Sequence, residues 1–331
     1  MRAFVAGCAG LALSNDERAF FADARPWGLI LFRRNVESPE QVRALTEEFR
    51  GVVGAEAAVL VDQEGGRVQR LTQPHWPLYP AAARLGACPD GERLAEVSAR
   101  LMALDLLQVG IDVDCLPVLD APVEGAHDVI GDRAYARAPE EVARLGAAAA
   151  RGLLRGGVMP VMKHIPGHGR AGADSHLDLP VVSAGRAELE RDFAPFKANA
   201  GLPAAMTAHV VYEALDPAAP ATHSRTVIDR IVRGEIGFDG LLMSDDLSMQ
   251  ALSGPLFDRA QRCFEAGLDL ALHCNGDLAE ARAVAEAAPE LAGKALERVR
   301  AARARVALER ARGAQFFDAT EARRRLAAAL A

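Results

Sequence analysis

Short apolar runs alternate with longer stretches of helical pattern along most of the chain. The runs are rich in Val, Ile, Leu and Met, and the segments between them are rich in Ala, Arg and Glu. Strands that alternate with helices predict a parallel sheet. Seven such strands are predicted, at 27–32, 57–62, 111–116, 158–164, 203–209, 240–245 and 268–274.

The number of strands favours a closed barrel over an open sheet of five or six strands. An eighth strand would come from the N-terminal segment or from an irregular strand. No Gly-x-Gly-x-x-Gly motif follows the first strand, which weakens a dinucleotide-binding interpretation. We therefore predict an α/β fold, a single-domain (β/α)8 TIM-like barrel over 1–331, in which 278–331 forms C-terminal packing helices. The length of 331 residues suits that fold.

The net charge and the cysteine content indicate which binding partners and which cellular compartment to expect. A formal net charge of −7 argues against binding to a phosphate backbone. Five widely spaced cysteines without a C-x-x-C pair favour free thiols over disulfides or a zinc site. The apolar stretch before Cys8 is too short for an export signal, and we predict a strand there instead. We expect a cytoplasmic monomer without a cofactor, a nucleic-acid partner or a membrane partner.

Ionisable residues lie at the ends of several predicted strands. Asp62 and Asp245 each close an apolar run, Lys163 and His164 close another, and His209 follows a third. An Asp after a single strand is commonly a helix N-cap. The carboxyl ends of barrel strands meet on one face, where barrel enzymes carry their active sites. Several such positions on different strands therefore predict an active site at this face.

The densest group of polar residues lies at 163–180. Residues 163–169 read Lys-His-Ile-Pro-Gly-His-Gly, and residues 174–176 read Asp-Ser-His. Three histidines among glycines and a proline are typical of a structured functional loop.

These motifs resemble the signature of the family 3 glycoside hydrolases, in the β-N-acetylglucosaminidase (β-hexosaminidase) branch that works in peptidoglycan recycling. Further blocks of the same branch match at 62–70, 130–133, 206–209 and 240–249, and the resemblance extends from about Gly28 to Met249. Ile165 stands where the family usually has an aromatic residue, a difference that removes no polar group.

The resemblance implies catalytic roles for three residues. Asp245 would attack the anomeric carbon and form a covalent glycosyl-enzyme, which preserves the anomeric configuration. His176 would act as acid and then as base, and Asp174 would fix its tautomer. Asp246 competes with Asp245 for the first role. Since successive strand side chains point to opposite sides, only one of these two is expected to face the pocket, and the resemblance selects Asp245.

The resemblance also implies a binding set and a substrate. Asp62, Arg70, Arg133, Lys163 and His164 would bind the sugar, whose hydroxyls both donate and accept hydrogen bonds. The implied activity is that of a retaining exo-β-N-acetylglucosaminidase. Its substrates would be peptidoglycan fragments such as N-acetylglucosaminyl-1,6-anhydro-N-acetylmuramyl peptides.

Three alternatives stay open at this point. A metal-dependent hydrolase could use the possible ligands His164, His168, His176, Asp174 and Asp178, although a His-Glu-x-x-His signature is absent. Exhaustive chelation would test that alternative. A glycoside phosphorylase would release a sugar 1-phosphate instead of a free sugar. A non-catalytic sugar-binding protein is disfavoured because both reactive positions hold competent residues.

Overall fold

The strands form a closed parallel barrel and a small separate sheet. The computed structural model describes residues 1–175, 177–313 and 317–330. The strands are β1 (Arg2–Gly7), β2 (Pro26–Leu31), β3 (Ala58–Val61), β4 (Val113–Asp114), β5 (Met159–Ile165), β6 (Val181–Val182), β7 (Ala204–Thr207), β8 (Val211–Tyr212), β9 (Leu241–Asp246) and β10 (Leu270–His273). The barrel order is β1-β10-β9-β7-β5-β4-β3-β2, and β6 pairs with β8 outside it.

This topology confirms the predicted (β/α)8 TIM-like barrel. Each of the seven predicted strands contributes to the barrel, and the N-terminal segment supplies the eighth as β1. The irregular member is β4, which has two residues. Every pair of neighbouring barrel strands is parallel, so all the strand carboxyl ends lie at one end of the barrel.

Helices connect the strands and surround the barrel. The α-helices are α1 (Asn15–Ala24), α2 (Pro39–Val53), α3 (Ala82–Gly86), α4 (Gly91–Gln108), α5 (Pro139–Gly156), α6 (Arg186–Ala198), α7 (Leu256–Ala266), α8 (Leu278–Ala287), α9 (Gly293–Gly313) and α10 (Ala319–Leu330). Short 3-10 turns span Arg33–Asn35, Gly131–Arg133 and Ala221–His223, and a π-helix spans Val227–Glu235.

Local sequence signals set where these helices begin and end. The Ser14 hydroxyl accepts a hydrogen bond from the Glu17 N–H, and the Glu17 carboxylate accepts one from the Ser14 N–H. This capping box satisfies two N–H groups that α1 would otherwise leave unpaired. At the other end of a helix, Gly157 follows α5 with a φ of 94°. Glycine suits that left-handed position because it carries no Cβ.

Strand residues divide between two apolar layers. Alternate positions such as Ile30, Leu60 and Val161 pack inside the barrel. Their neighbours, such as Leu29 and Val61, pack outward against the helices. Burial on both faces explains why these strands read as continuous apolar runs rather than as an alternating pattern.

One end of the barrel is closed by α9. Val299 and Ala302 of this helix pack into the interior cluster, together with strand-starting residues such as Ala3, Ala58 and Leu270. The opposite end, where the strands terminate, is left for the functional site. Residues 278–313 and 319–330 are largely helical as α8, α9 and α10, while the assignment of the whole chain to one domain stays a prediction. None of the helices in the described ranges combines the length and apolarity needed to cross a bilayer.

Candidate active site

A cavity of about 320 Å³ lies at the carboxyl ends of the strands. It brings together six residues that the sequence analysis assigned to the site. Those residues are Asp62, Arg70, Arg133, Lys163, His164 and Asp245. Apolar surface from the strands and nearby loops, such as Ile30, Met206 and Met249, completes the lining. The site therefore combines convergent charged groups with apolar walls, as ligand pockets commonly do.

The carboxylate of Asp245 lies in this cavity near the end of β9. One oxygen, Oδ1, accepts a 2.8 Å hydrogen bond from the Asp246 N–H. The other, Oδ2, lies 3.9 Å from Nε2 of His164. Burial would raise the pKa of this carboxyl, but the neighbouring groups, His164 first among them, lower it by more. The carboxylate is thus ionised at neutral pH, as a nucleophile must be.

The expectation that only one of the adjacent aspartates faces the pocket is wrong. Asp245 and Asp246 both line the cavity. The pairing between β9 and β10 shifts here, since Leu270 lies opposite Met243 but Leu272 lies opposite Asp246. Such an irregularity breaks the strict alternation of side chains and redirects them.

The two carboxylates nevertheless have different surroundings. Oδ1 of Asp246 accepts hydrogen bonds from the N–H groups of Ser248 and Cys274, each at 3.0 Å. Its Oδ2 accepts a 2.6 Å bond from the Ser248 hydroxyl. Asp246 therefore holds the turn after β9 against the end of β10. From the described part of the chain, Asp245 accepts a single hydrogen bond, that of the Asp246 N–H.

Five charged side chains form a ladder along one wall of the cavity. Nζ of Lys163 lies 2.9 Å from Asp62 and 2.6 Å from Glu64. Arg70 pairs with the second oxygen of Asp62 at 3.0 Å. Arg133 makes two parallel bonds of 2.8 Å with Glu64. The order along the ladder is Arg70, Asp62, Lys163, Glu64, Arg133, so positive and negative groups alternate.

This alternation keeps the buried members ionised. Burial would raise the pKa of Asp62 and of Glu64, but the Lys163 ammonium and the flanking arginines hold both below their ordinary values. Burial would likewise lower the pKa of Lys163, but Asp62 and Glu64 raise it. The ladder thus presents charged hydrogen-bonding groups of both signs to a ligand.

His164 and Lys163 are adjacent in sequence and both line the cavity. The peptide bond that joins them is cis. Nδ1 of His164 lies 2.7 Å from Oδ2 of Asp120, which is fully buried. The ring of His168 packs against the His164 ring, with 5.7 Å between the centroids. Burial lowers the pKa of His168 to about 4, so this ring is neutral at neutral pH.

His209, which was expected to belong to the active face, instead supports the backbone below it. The side chain is fully buried, and its Nε2 lies 3.0 Å from the carbonyl oxygen of Asp246. A carbonyl can only accept, so Nε2 carries a proton, while Nδ1 lies 2.7 Å from the Thr222 hydroxyl oxygen. Burial lowers the pKa of His209, which agrees with a neutral ring.

The loop after β5 carries the remaining predicted catalytic residues. Asp174 lines a cavity of about 350 Å³ that shares Val68, Val129 and Arg133 with the first. His176 lies outside the described residues, so its predicted position beside Asp245 stays a prediction. The loop is anchored before this point: a Cβ on Gly169 would lie 2.2 Å from the carbonyl oxygen of Ala121, an approach that only glycine permits.

Several residues of the site were not predicted from the sequence. Glu64 lies inside a block that was matched as a whole, but it was not singled out. Asp120 closes the apolar stretch 116–119, the same signal that identified Asp62 and Asp245. Phe32 and Arg34 follow β2 and also line the cavity. The guanidinium groups of Arg34 and Arg70 lie 5.0 and 5.1 Å from the centre of the Phe32 ring.

The described residues do not form the ligand set that the metal-dependent alternative requires. Within the described ranges, no three His, Cys, Asp or Glu side chains are grouped so that they could hold a metal ion. His164 is bonded to Asp120, His168 to Ser175, and Asp178 is exposed. His176, the fifth possible ligand, is outside those ranges.

Comparison with known proteins identifies the family. Residues 6–308 match the model of the glycosyl hydrolase family 3 N-terminal domain. The chain belongs to glycosyl hydrolase family 3. A β-hexosaminidase of Alkalilimnicola ehrlichii is 44% identical over 279 residues, which cover 81% of this chain and 79% of that protein.

Solved structures agree with this assignment. NagZ of Neisseria gonorrhoeae has a TM-score of 0.78 and 36% identity, with 92% of this chain and 97% of that chain covered. A family 3 β-N-acetylglucosaminidase from a Paenibacillus species has a TM-score of 0.85 and 36% identity, and this chain spans 61% of its length. These findings confirm the predicted family and the predicted enzyme class, a glycoside hydrolase of the β-N-acetylhexosaminidase type.

Proposed function

We propose that this chain is a retaining exo-β-N-acetylglucosaminidase that releases terminal N-acetylglucosamine through a covalent glycosyl-enzyme. In the first step an oxygen of Asp245 attacks the anomeric carbon, and the bond from that carbon to the glycosidic oxygen breaks. His176 gives its proton to the departing oxygen. In the second step water attacks the same carbon and loses a proton to His176, and the bond to Asp245 breaks. Two displacements preserve the β configuration.

The position of the Asp245 carboxylate is the observation that supports this proposal most directly. It lies in a cavity on the face where barrel enzymes act, 3.9 Å from a histidine and within a set of hydrogen-bonding groups. Asp246, the alternative nucleophile, has both carboxylate oxygens occupied by the turn after β9. An attack by Asp246 would require breaking those bonds.

The charge of the cavity suits an uncharged sugar. Four basic side chains among the described lining residues are matched by four acidic ones: Arg34, Arg70, Arg133 and Lys163 against Asp62, Glu64, Asp245 and Asp246. Ring hydroxyls can donate to the carboxylates and accept from the cations. The gonococcal NagZ has been crystallised with N-trifluoroacetyl-D-glucosamine, and the proposal extends recognition of such a sugar to this chain.

The proposal includes a cellular role. The peptidoglycan-recycling branch implies substrates in which N-acetylglucosamine is linked to 1,6-anhydro-N-acetylmuramic acid, with or without a peptide. The enzyme would act on them in the cytoplasm, as a monomer. Release of N-acetylglucosamine from purified fragments of this kind, measured by mass spectrometry, tests the substrate assignment.

Covalent trapping tests the mechanism. A 5-fluoro-N-acetylglucosaminyl fluoride carries a good leaving group, and its second fluorine slows the hydrolysis of the intermediate. We expect one sugar per chain, attached to the peptide that contains Asp245. Asp245→Asn should lose both the label and, by about 10⁴-fold or more, the turnover of a chromogenic N-acetylglucosaminide. Label on Asp246, or full turnover by Asp245→Asn, would contradict the proposal.

A further inference from the structure

Asp120 holds three groups of the active-site wall with one carboxylate. It is fully buried, and its Oδ1 accepts hydrogen bonds from the N–H groups of His164 at 3.2 Å and of His168 at 2.6 Å. Its Oδ2 lies 2.7 Å from Nδ1 of His164. The carboxylate therefore contacts both ends of the segment 164–168 and the ring of its first residue.

These contacts determine where the His164 proton lies. A carboxylate can only accept, so Nδ1 of His164 is the donor in this bond. Burial would raise the pKa of Asp120, but His164, His168 and the His168 N–H together lower it by more, which keeps the acceptor ionised. Nε2 is then the only ring nitrogen that remains for the cavity, where it faces Asp245 at 3.9 Å. A neutral ring offers a lone pair there, and a protonated ring offers a second N–H.

We propose that Asp120 is a positioning residue, which fixes the tautomer and the orientation of His164 so that Nε2 faces the nucleophile and the sugar. Through the His168 N–H it also holds the start of the loop that carries Asp174. A carboxylate that orients a histidine by its other nitrogen is a common device in enzymes. This inference rests on the proposed roles of Asp245 and His164.

Asp120→Asn separates this role from simple packing. The side-chain oxygen of Asn can still accept from the two backbone N–H groups. Its NH2 group then faces Nδ1 of His164 and can only donate. The neutral ring would have to move its proton to Nε2, which reverses the hydrogen-bonding character presented to the cavity. We expect kcat/KM to fall about 10- to 100-fold, the effect of losing a hydrogen bond to a charged group.

Asp269→Asn provides a matched control at the other end of the barrel. Asp269 is also a buried carboxylate that accepts from a backbone N–H, that of Leu242, and it pairs with Arg233 and Arg298. It lies immediately before β10, at the amino ends of the barrel strands, and it does not line the cavity at their carboxyl ends. We expect Asp269→Asn to lower the melting temperature and to leave kcat/KM within about twofold of the unaltered enzyme.

A double-mutant cycle tests whether Asp120 acts through His164. In a His164→Ala background, Asp120→Asn should cost less than about threefold in kcat/KM, because the group that it positions is gone. A full and additive loss in that background would overturn the proposal. So would an Asp120→Asn enzyme whose kcat/KM stays within threefold of the unaltered enzyme.

Nitrogen-15 NMR of protein with labelled histidines tests the contact in the unaltered protein. It requires no substrate, and it does not depend on whether a variant folds. In the unaltered protein we expect His164 to show a protonated Nδ1 with a strongly downfield proton. A neutral His164 that carries its proton on Nε2 alone would overturn the inference. Because this measurement does not depend on turnover, it tests the Asp120 contact even if the proposed reaction fails, and an absence of turnover by the unaltered enzyme would count against the proposed function alone.

Discussion

Lys163→Met removes the central cation of the ladder. The ammonium group is almost fully buried, with 2% of the side chain exposed, and it lies between the carboxylates of Asp62 and Glu64. Met has a similar length and carries no charge. The substitution therefore leaves the buried Glu64 and Asp62, whose side chain is 16% exposed, without the cation that they share. Arg70 and Arg133 each retain one partner.

The expected loss of stability is large for a single substitution. Removing one partner of a buried ion pair costs about 3–5 kcal/mol, because the remaining charge is left buried without compensation. The arginines offset part of this cost, so we expect the low end, about 3 kcal/mol in the free energy of unfolding at pH 7. The variant should also bind the sugar poorly, since both carboxylates lose their fixed orientation.

The loss should depend on pH in a defined direction. In the unaltered protein the pKa values of Asp62 and Glu64 are lowered on folding, so these groups stabilise the protein above their unfolded values and cease to do so in acid. Without Lys163 their folded pKa values rise, and that contribution shrinks at neutral pH. The difference between the two proteins should be largest near pH 7 and should decrease below about pH 4.

Denaturant unfolding at several pH values measures this difference. Lys294→Met is the matched control, because Lys294 pairs with Asp239 at 3.3 Å while both side chains are more than half exposed. That pair should contribute about 1 kcal/mol or less. A Lys163→Met protein that loses no more than the control, or whose loss is the same at about pH 3 as at pH 7, would refute the reasoning about the ladder.

Two further predictions follow from the charges of the cavity. Because the pKa of Asp245 lies below its ordinary value, the rate of covalent trapping should stay constant from pH 7 down to about pH 4; a decline centred near pH 6 would show that the carboxyl is not held ionised. Because Lys163, Arg70 and Arg133 already pair with carboxylates, phosphate should not replace water, and reactions in phosphate buffer should yield free sugar. Accumulation of a sugar 1-phosphate would revive the phosphorylase alternative.

The residues that were predictable from sequence are those that end an uninterrupted strand. Asp62 follows the apolar run of β3 directly, and Asp245 lies near the end of β9, so their place at the carboxyl face follows from the parallel order alone. Asp120 was missed for a structural reason. After β4 ends at Asp114 the chain resumes its pairing with β5, where the Leu119 N–H donates to the Lys163 carbonyl. Pro117, which has no N–H to donate within a sheet, hides that continuation in the sequence.

The hydrophobic pattern of the sequence does not predict contacts between residues that are far apart along the chain. The ladder joins Glu64 to Arg133 and to Lys163, and no periodicity relates these three positions. The position of Asp246 was misjudged because the alternation rule assumes a regular register, which the shift between β9 and β10 breaks. Strand ends thus identify the face of the barrel, while side-chain packing decides which residues meet there.

The balance of charge also bears on the second half of the proposed reaction. With four basic and four acidic side chains among the described lining residues, the cavity is close to neutral while Asp245 is ionised. Formation of the glycosyl-enzyme converts the Asp245 carboxylate into an ester, so the basic side chains of the lining then exceed the acidic ones by one, an excess shared among cations that are already bonded to carboxylates or carbonyl oxygens. That excess favours the approach of a water molecule that is losing its proton, and it favours the return of the negative charge to Asp245 as the ester breaks. The same paired charges that bind an uncharged sugar would therefore assist the release of the enzyme from its covalent intermediate.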